Sequence, residues 1–223
     1  INENSIKSLP GISHQDIRAY YDELWLMLND EEHQVLHLLA ACDFVWPIEG
    51  LIDCFTLQGV KKSQINYSIK RVKHLLESTD LGFIPFHSSI VVFVKNLNDH
   101  SIFAGEMKEY TLEWLKNKAP SYWKWAYEWL LEAELGNSEP LNSGPDRDWL
   151  IGSISKALPK EEMLEILKKS SENAIEEGNL QTHIKVKLLY DYVENAHFSR
   201  KNILDSLIYS QIAVGMDEYV KII

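Results

Sequence analysis

The chain is short of the residues that most self-contained enzymes and membrane proteins rely on. Cysteine is nearly missing: Cys42 and Cys54 are the only two in 223 residues. Two thiols make no disulfide framework, and free thiols fit a reducing cytosol. Glycine is scarce, with ten residues, and neither a GxxxxGK[ST] phosphate loop nor a GxGxxG turn occurs. HExxH and CxxC are absent, and no Ser, Cys or Thr has a visible partner base. No run of about 18 apolar residues exists, so no stretch reads as a membrane span, and the start carries no signal-peptide pattern. Basic residues are also few: 22 Lys and Arg against 33 Asp and Glu give a net charge of −11. That balance disfavours nonspecific binding to nucleic acid or to an anionic membrane surface. No active site is complete within the chain, which is therefore expected not to be an enzyme by itself. The first residue is Ile1, not Met, so the chain is expected to be an excised or processed piece that works with parts outside it.

Apolar and aromatic residues are plentiful: 45% of the chain is hydrophobic, with seven Trp and ten Tyr. That is enough for a real core in one large domain or two small ones. Residues 1–19 form a polar lead-in with a Pro10-Gly11 turn, running into a first helix after Ser13. There Ile17, Tyr20, Tyr21, Leu24, Trp25 and Leu28 fall at helical spacing. A second helix follows, with Asp30 as its expected cap and Val35, Leu36, Leu38 and Leu39 on its apolar face. Trp46-Pro47 breaks it. Pro47 opens a short third helix carrying Ile48, Leu51, Ile52 and Phe55. A fourth, expected to be capped by Ser63, carries Ile65, Ile69, Val72, Leu75 and Leu76.

Short helices, then a longer helix and a strand-turn pair, are the order of a winged helix, and residues 20–97 have the right size for one. The fourth helix would be the recognition-helix analogue. Lys61, Lys62, Lys70, Arg71 and Lys73 give it a local basic cluster. Contact with DNA in the major groove is one reading. A solvated face, or one packed on an acidic neighbour, is the other, and the overall charge and lack of a basic glycine-rich wing favour it. Lys70, Arg71 and Lys73 are carried forward as candidates for an interface or a nucleic-acid-facing surface, with DNA the less favoured partner.

Residues 98–140 read as connecting aromatic-rich helices, one of them with Tyr122, Trp123, Trp125, Tyr127 and Trp129. Rings on both sides of a helix point to burial between neighbours rather than to an exposed stacking platform. The turn-rich segment 136–145 is the best candidate boundary. Residues 141–223 then alternate helices of twelve to eighteen residues with short connections, the style of stacked antiparallel pairs. The tetratricopeptide consensus is not matched, and apolar residues 220–223 suggest an array cut short. The expected fold class is mainly α: a winged-helix domain followed by an α-helical repeat array, TPR-like or solenoid.

Few residues carry candidate chemistry. His33 and His37 lie at i, i+4, with Cys42 further on. Without a second cluster the trio reads as ordinary core or surface side chains, and no metal is expected. Glu161-Glu162 and Glu176-Glu177 read as solvated helix ends rather than a catalytic pair. The remaining stretch is residues 81–94, LGFIPFHSSIVVFV. It begins as a strand at Phe83 and Ile84, turns at Phe86-His87-Ser88-Ser89, and continues as an apolar helix capped by Ser88 or Ser89. A strand that ends in a polar turn opening a helix suits a phosphate or carboxylate, and His87 stands at that point. A half-buried turn histidine satisfied by backbone is the alternative.

The order of strand, Phe86-His87-Ser88, apolar helix and aromatic helix resembles the winged-helix region of bacterial STAND-type signalling NTPases, the group that includes NACHT and NB-ARC proteins. There a Met-His-Asp-like motif follows the strand, and its His touches the β-phosphate of bound ADP. His87 matches the middle of that motif, while Ser88 stands where the motif usually carries Asp. The stretches DEEHQVLHLLAACD, FHSSIVVFVK and EWLKNKAP add to the likeness. The resemblance implies a cytoplasmic, non-catalytic regulatory and sensor segment; the alternatives are a winged-helix DNA-binding regulator and a helical protein-interaction scaffold. His87 and Ser88 would sense ADP phosphate in an upstream nucleotide-binding domain, holding the off state. ATP or ADP and Mg would belong to the parent protein, with no cofactor in this chain. The helical repeats would recognise a protein trigger or partner, in immune or antiviral signalling, and activation would lead to oligomerisation.

Overall fold

The structure, a computed structural model, describes residues 14–195, with side chains from Arg18 onward. The expected helix at 200–214, the apolar end at 220–223 and most of the lead-in lie outside the described residues. The mainly helical class is as expected: among the described residues there are eleven α-helices and one two-stranded antiparallel sheet. Two compact units divide between Trp114 and Leu115, inside a continuous helix.

The first unit begins with α1 (His14–Met27), α2 (Asp30–Ala41), α3 (Ile48–Leu57) and α4 (Lys62–Val72). A 3-10 turn (Lys73–Leu75), β1 (Leu76–Thr79), β2 (Gly82–Pro85) and α5 (Ser88–Lys95) follow, and α6 (His100–Asn117) begins. The strands pair from Leu76↔Pro85 to Thr79↔Gly82 around an Asp80-Leu81 tip. Trp46, between α2 and α3, pairs with the free edge of β2. Its N–H donates to the Phe83 carbonyl at 2.8 Å, and the Phe83 N–H returns to its carbonyl at 2.8 Å. The chain thus runs helix, single bridge, helix, helix, hairpin, helix. Gly82 has φ +149, and a Cβ there would collide with the Trp46 carbonyl, so the bridge requires glycine.

The helices form because each presents one apolar stripe to a shared core. Leu38, Leu51, Val72 and Trp46 have no exposed surface at all. Burial of each such side chain contributes about 1.5–3 kcal/mol relative to exposure.

Several expected boundaries move. The cap of α2 is Asn29, not Asp30. Its side chain accepts the Glu32 N–H at 2.8 Å, and Glu32 Oε2 accepts the Asn29 N–H at 3.1 Å, which satisfies two end donors reciprocally. Helix α4 starts one residue after Lys61 with no side-chain cap, so Ser63 does not cap it. It stops at Val72, not at Leu76. Leu75 and Leu76 keep helical spacing and are buried, yet Leu76 is the first residue of β1, a strand the sequence reading missed. The pairing partner decides this, since the Leu75 carbonyl accepts the Phe86 N–H at 2.8 Å across the hairpin.

The second unit runs through α7 (Ser121–Glu134), α8 (Glu139–Ser143), α9 (Arg147–Ser155), α10 (Lys160–Glu176) and α11 (Leu180–Asn195). Leu150, Ile154, Met163, Leu167, Val186 and Val193 make its core. Helices α10 and α11 pack along their length through a connection with Gly178 at φ +71, which makes them an antiparallel pair. The turn-rich segment 136–145 holds α8, which packs on α7 and α10. In α7, Trp123 is buried and Trp125 is half-buried, its indole N–H donating to Ser153 Oγ at 3.0 Å. Core packing is therefore the use of these rings.

Candidate functional site

The site is built where β2 hands over to α5. Pro85 is the last residue of the strand and has no N–H to give to the ladder. The cap of α5 is His87 itself, not Ser88 or Ser89. His87 Nδ1 accepts the Ser89 N–H at 3.2 Å and faces Ser89 Oγ at 2.8 Å. A backbone N–H can only donate, so Nδ1 is the acceptor and the ring proton sits on Nε2. Ser89 Oγ also meets the Tyr21 hydroxyl at 2.7 Å. A chain Tyr21–Ser89–His87 thus fixes the ring and ties α5 to α1. Ser88 is the first residue of the helix, exposed beside His87.

Helix α1 lies over this turn because its aromatics stack on α2 and α5. Trp25 stacks on His33, with centroids 4.0 Å apart and planes at 12°, and Tyr21 meets Phe93 at 5.4 Å. Between α1 and α5 a cavity of about 400 Å³ remains. Arg18, Tyr21 and Asp22 line it from α1, while His87, Val92, Phe93 and Leu97 line it from the other side. His87 is exposed, so its Nε2–H is accessible. One fixed ring N–H donor at a helix start suits one anionic oxygen. Among the described residues no group of three or more His, Cys, Asp or Glu could hold a metal ion.

The basic residues of α4 divide. Lys70 and Lys73 are exposed. Arg71 is engaged: its Nε donates to Glu32 Oε1 at 2.8 Å, and Glu32 has no exposed surface. Part of the cluster thus neutralises a buried carboxylate of α2, and the adjoining strand adds the exposed Glu77.

The His33, His37 and Cys42 trio is not brought together. His33 Nε2 bonds the Trp25 carbonyl at 2.8 Å, and Cys42 Sγ faces Thr111 at 3.6 Å. His37 turns its Nδ1 to His100 Nδ1 at 3.0 Å in the core, while its Nε2 is buried without a hydrogen bond, 4.0 Å from Asp99. Burial lowers the His37 pKa to about 4, His100 and His33 pull it the same way, and Asp99 opposes them. Burial lowers that of His100 too. Of the four candidate glutamates, Glu162 accepts the Tyr122 hydroxyl at 2.7 Å and Glu177 the Asn142 amide at 2.8 Å. Both are structural acceptors.

Two features escaped sequence reasoning. The His37–His100 pair spans 63 positions, and no local pattern signals it. The α1 wall of the cavity was equally silent, because periodicity gives the apolar face of α1 but not the helix it will cover. Among the described residues no helix is long and apolar enough to cross a membrane. Comparison of the chain with protein-family models, with curated proteins and with solved structures gives no match in any of the three.

Proposed function

We propose that this chain is the non-catalytic regulatory and sensor segment of a bacterial STAND-type signalling NTPase. The observation that carries the reading is His87. It follows a hairpin strand, caps the next helix through Nδ1, and keeps its Nε2–H accessible. That is the arrangement needed to meet one phosphate oxygen of ADP held by an upstream nucleotide-binding domain. The residues present fit a single phosphate contact. Phosphate-loop and Mg chemistry would come from that upstream domain, and Ser88 would flank the contact.

The helix–bridge–helix–helix–hairpin–helix order supports a winged-helix domain. The antiparallel α10–α11 pair, with α8 and α9 beside it, supports a repeat-type array of the TPR-like kind. In this reading the His87 contact favours the ADP-bound off state. Exchange to ATP removes it, frees the winged helix and permits oligomerisation. The helical array recognises a protein trigger, as in antiviral defence, and the protein works in the cytoplasm. The engagement of Arg71 by Glu32 weighs against the DNA-binding alternative. The test is basal oligomerisation of the full-length parent without trigger. His87→Ala should raise it, and an unchanged monomer fraction would sink the reading.

A further inference from the structure

The cavity beside His87 has a chemistry of its own. Most of its wall is apolar: the Tyr21 ring, Val92, Phe93 and Leu97. Polar groups line it as well: Arg18, the His87 ring, Ser88, Ser89 and Asn96 can donate, and Asp22 is the opposing charge. At about 400 Å³ it falls in the size range of small-molecule sites. A free phosphate would leave the apolar wall uncovered, and a neutral hydrocarbon would make no use of the Arg18 and His87 donors. Both needs are met by one class of ligand.

We infer that this cavity binds a small amphiphilic anion. Its phosphate or carboxylate lies between Arg18 and His87, and its aliphatic or aromatic body lies against Val92, Phe93 and Leu97. The site shares His87 with the nucleotide contact proposed above but needs no nucleotide domain. A ligand seated here would occupy the same ring N–H, and so compete with the ADP phosphate and favour the open form. The proximity of Asp22, one turn along α1 from Arg18, sets the sign of a diagnostic variant. Removing that carboxylate should tighten binding, whereas a merely hydrophobic cleft would ignore it.

The test uses the 223-residue chain alone, titrated calorimetrically with octyl phosphate below its micelle concentration, with n-octanol and inorganic phosphate as the two half-ligands. Saturable one-to-one binding of octyl phosphate is expected, with each half-ligand weaker by about tenfold or more, since each gives up one of the two interaction types. Arg18→Gln should weaken binding about tenfold, the usual scale of a charge-assisted hydrogen bond. Val92→Glu should weaken it through like-charge repulsion, and Asp22→Asn should strengthen it a few-fold, as about 1 kcal/mol of removed repulsion would give. All three positions are exposed, so the fold should survive each change. The inference is overturned by absence of binding, by equal affinity for octanol, or by affinities indifferent to Arg18 and Asp22. Because no ADP is involved, these outcomes are independent of whether the parent binds nucleotide.

Discussion

The buried His37–His100 pair should make the first unit sensitive to acid. His37 has 1% of its surface exposed and a pKa lowered from 6.5 to about 4, chiefly by desolvation. In the unfolded chain it returns to about 6.5. Between those values the unfolded state binds more protons than the folded one, so stability rises with pH there. The contribution is complete above about pH 6.5 and is lost as pH falls toward 4. The displacement corresponds to roughly 3 kcal/mol as an upper bound. Asp99, 4.0 Å from Nε2, can move to meet an imidazolium and offset part of it, leaving a loss of about 1–3 kcal/mol. Burial lowers the pKa of His100 as well, and that ring is present in both proteins compared below. Urea denaturation at intervals from pH 7.5 to 4.5 would measure this, on the natural chain beside His37→Gln, which removes the titrating ring. The variant should be less stable at pH 7.5, and the gap should narrow on acidification as the natural chain loses its advantage. A gap constant across the range would refute the argument, because titration common to both proteins cancels in the difference.

Two further outcomes follow from packing and backbone geometry. Arg71→Ala should cost about 1–2 kcal/mol in urea denaturation by leaving the buried Glu32 carboxylate with one charged partner fewer, while Lys70→Ala should cost about 0.5 kcal/mol or less. Equal effects would mean the Glu32 contact adds nothing. Gly82→Ala should cost about 2 kcal/mol or more, since φ +149 and the Trp46 carbonyl both exclude a Cβ, and protection of the Phe83 amide from hydrogen exchange should fall with it.

Much of the helical layout was legible because apolar spacing dominates it. Leu36, Leu39, Leu51, Phe55, Ile65 and Ile69 were read as facing the core and are buried. What failed were the short-range competitions. Asn29 and Asp30 are both good caps, and Glu32, three residues beyond Asn29, decided for the former. Leu75 and Leu76 satisfy a helix as well as a strand, and only the hairpin partner resolves them. The strand–turn–helix order around His87 could be seen in its residues. Its geometry could not: a histidine capping its own helix is rare enough that serine was the natural choice, and Arg18 and Asp22 reach the site through tertiary packing of aromatics on α1. The use of Arg71 was not legible because its acidic partner, Glu32, lies 39 positions away.

The central claim rests on His87 meeting ADP. The most direct measurement is the nucleotide content of the full-length parent as purified, natural protein beside His87→Ala, released by denaturation and quantified chromatographically. The account expects the natural protein to retain ADP and the variant to lose most of it, as removal of a charge-assisted hydrogen bond worth about 1.5–3 kcal/mol would cause. A parent that carries no nucleotide, or a variant that holds ADP as firmly as the natural protein, would contradict it.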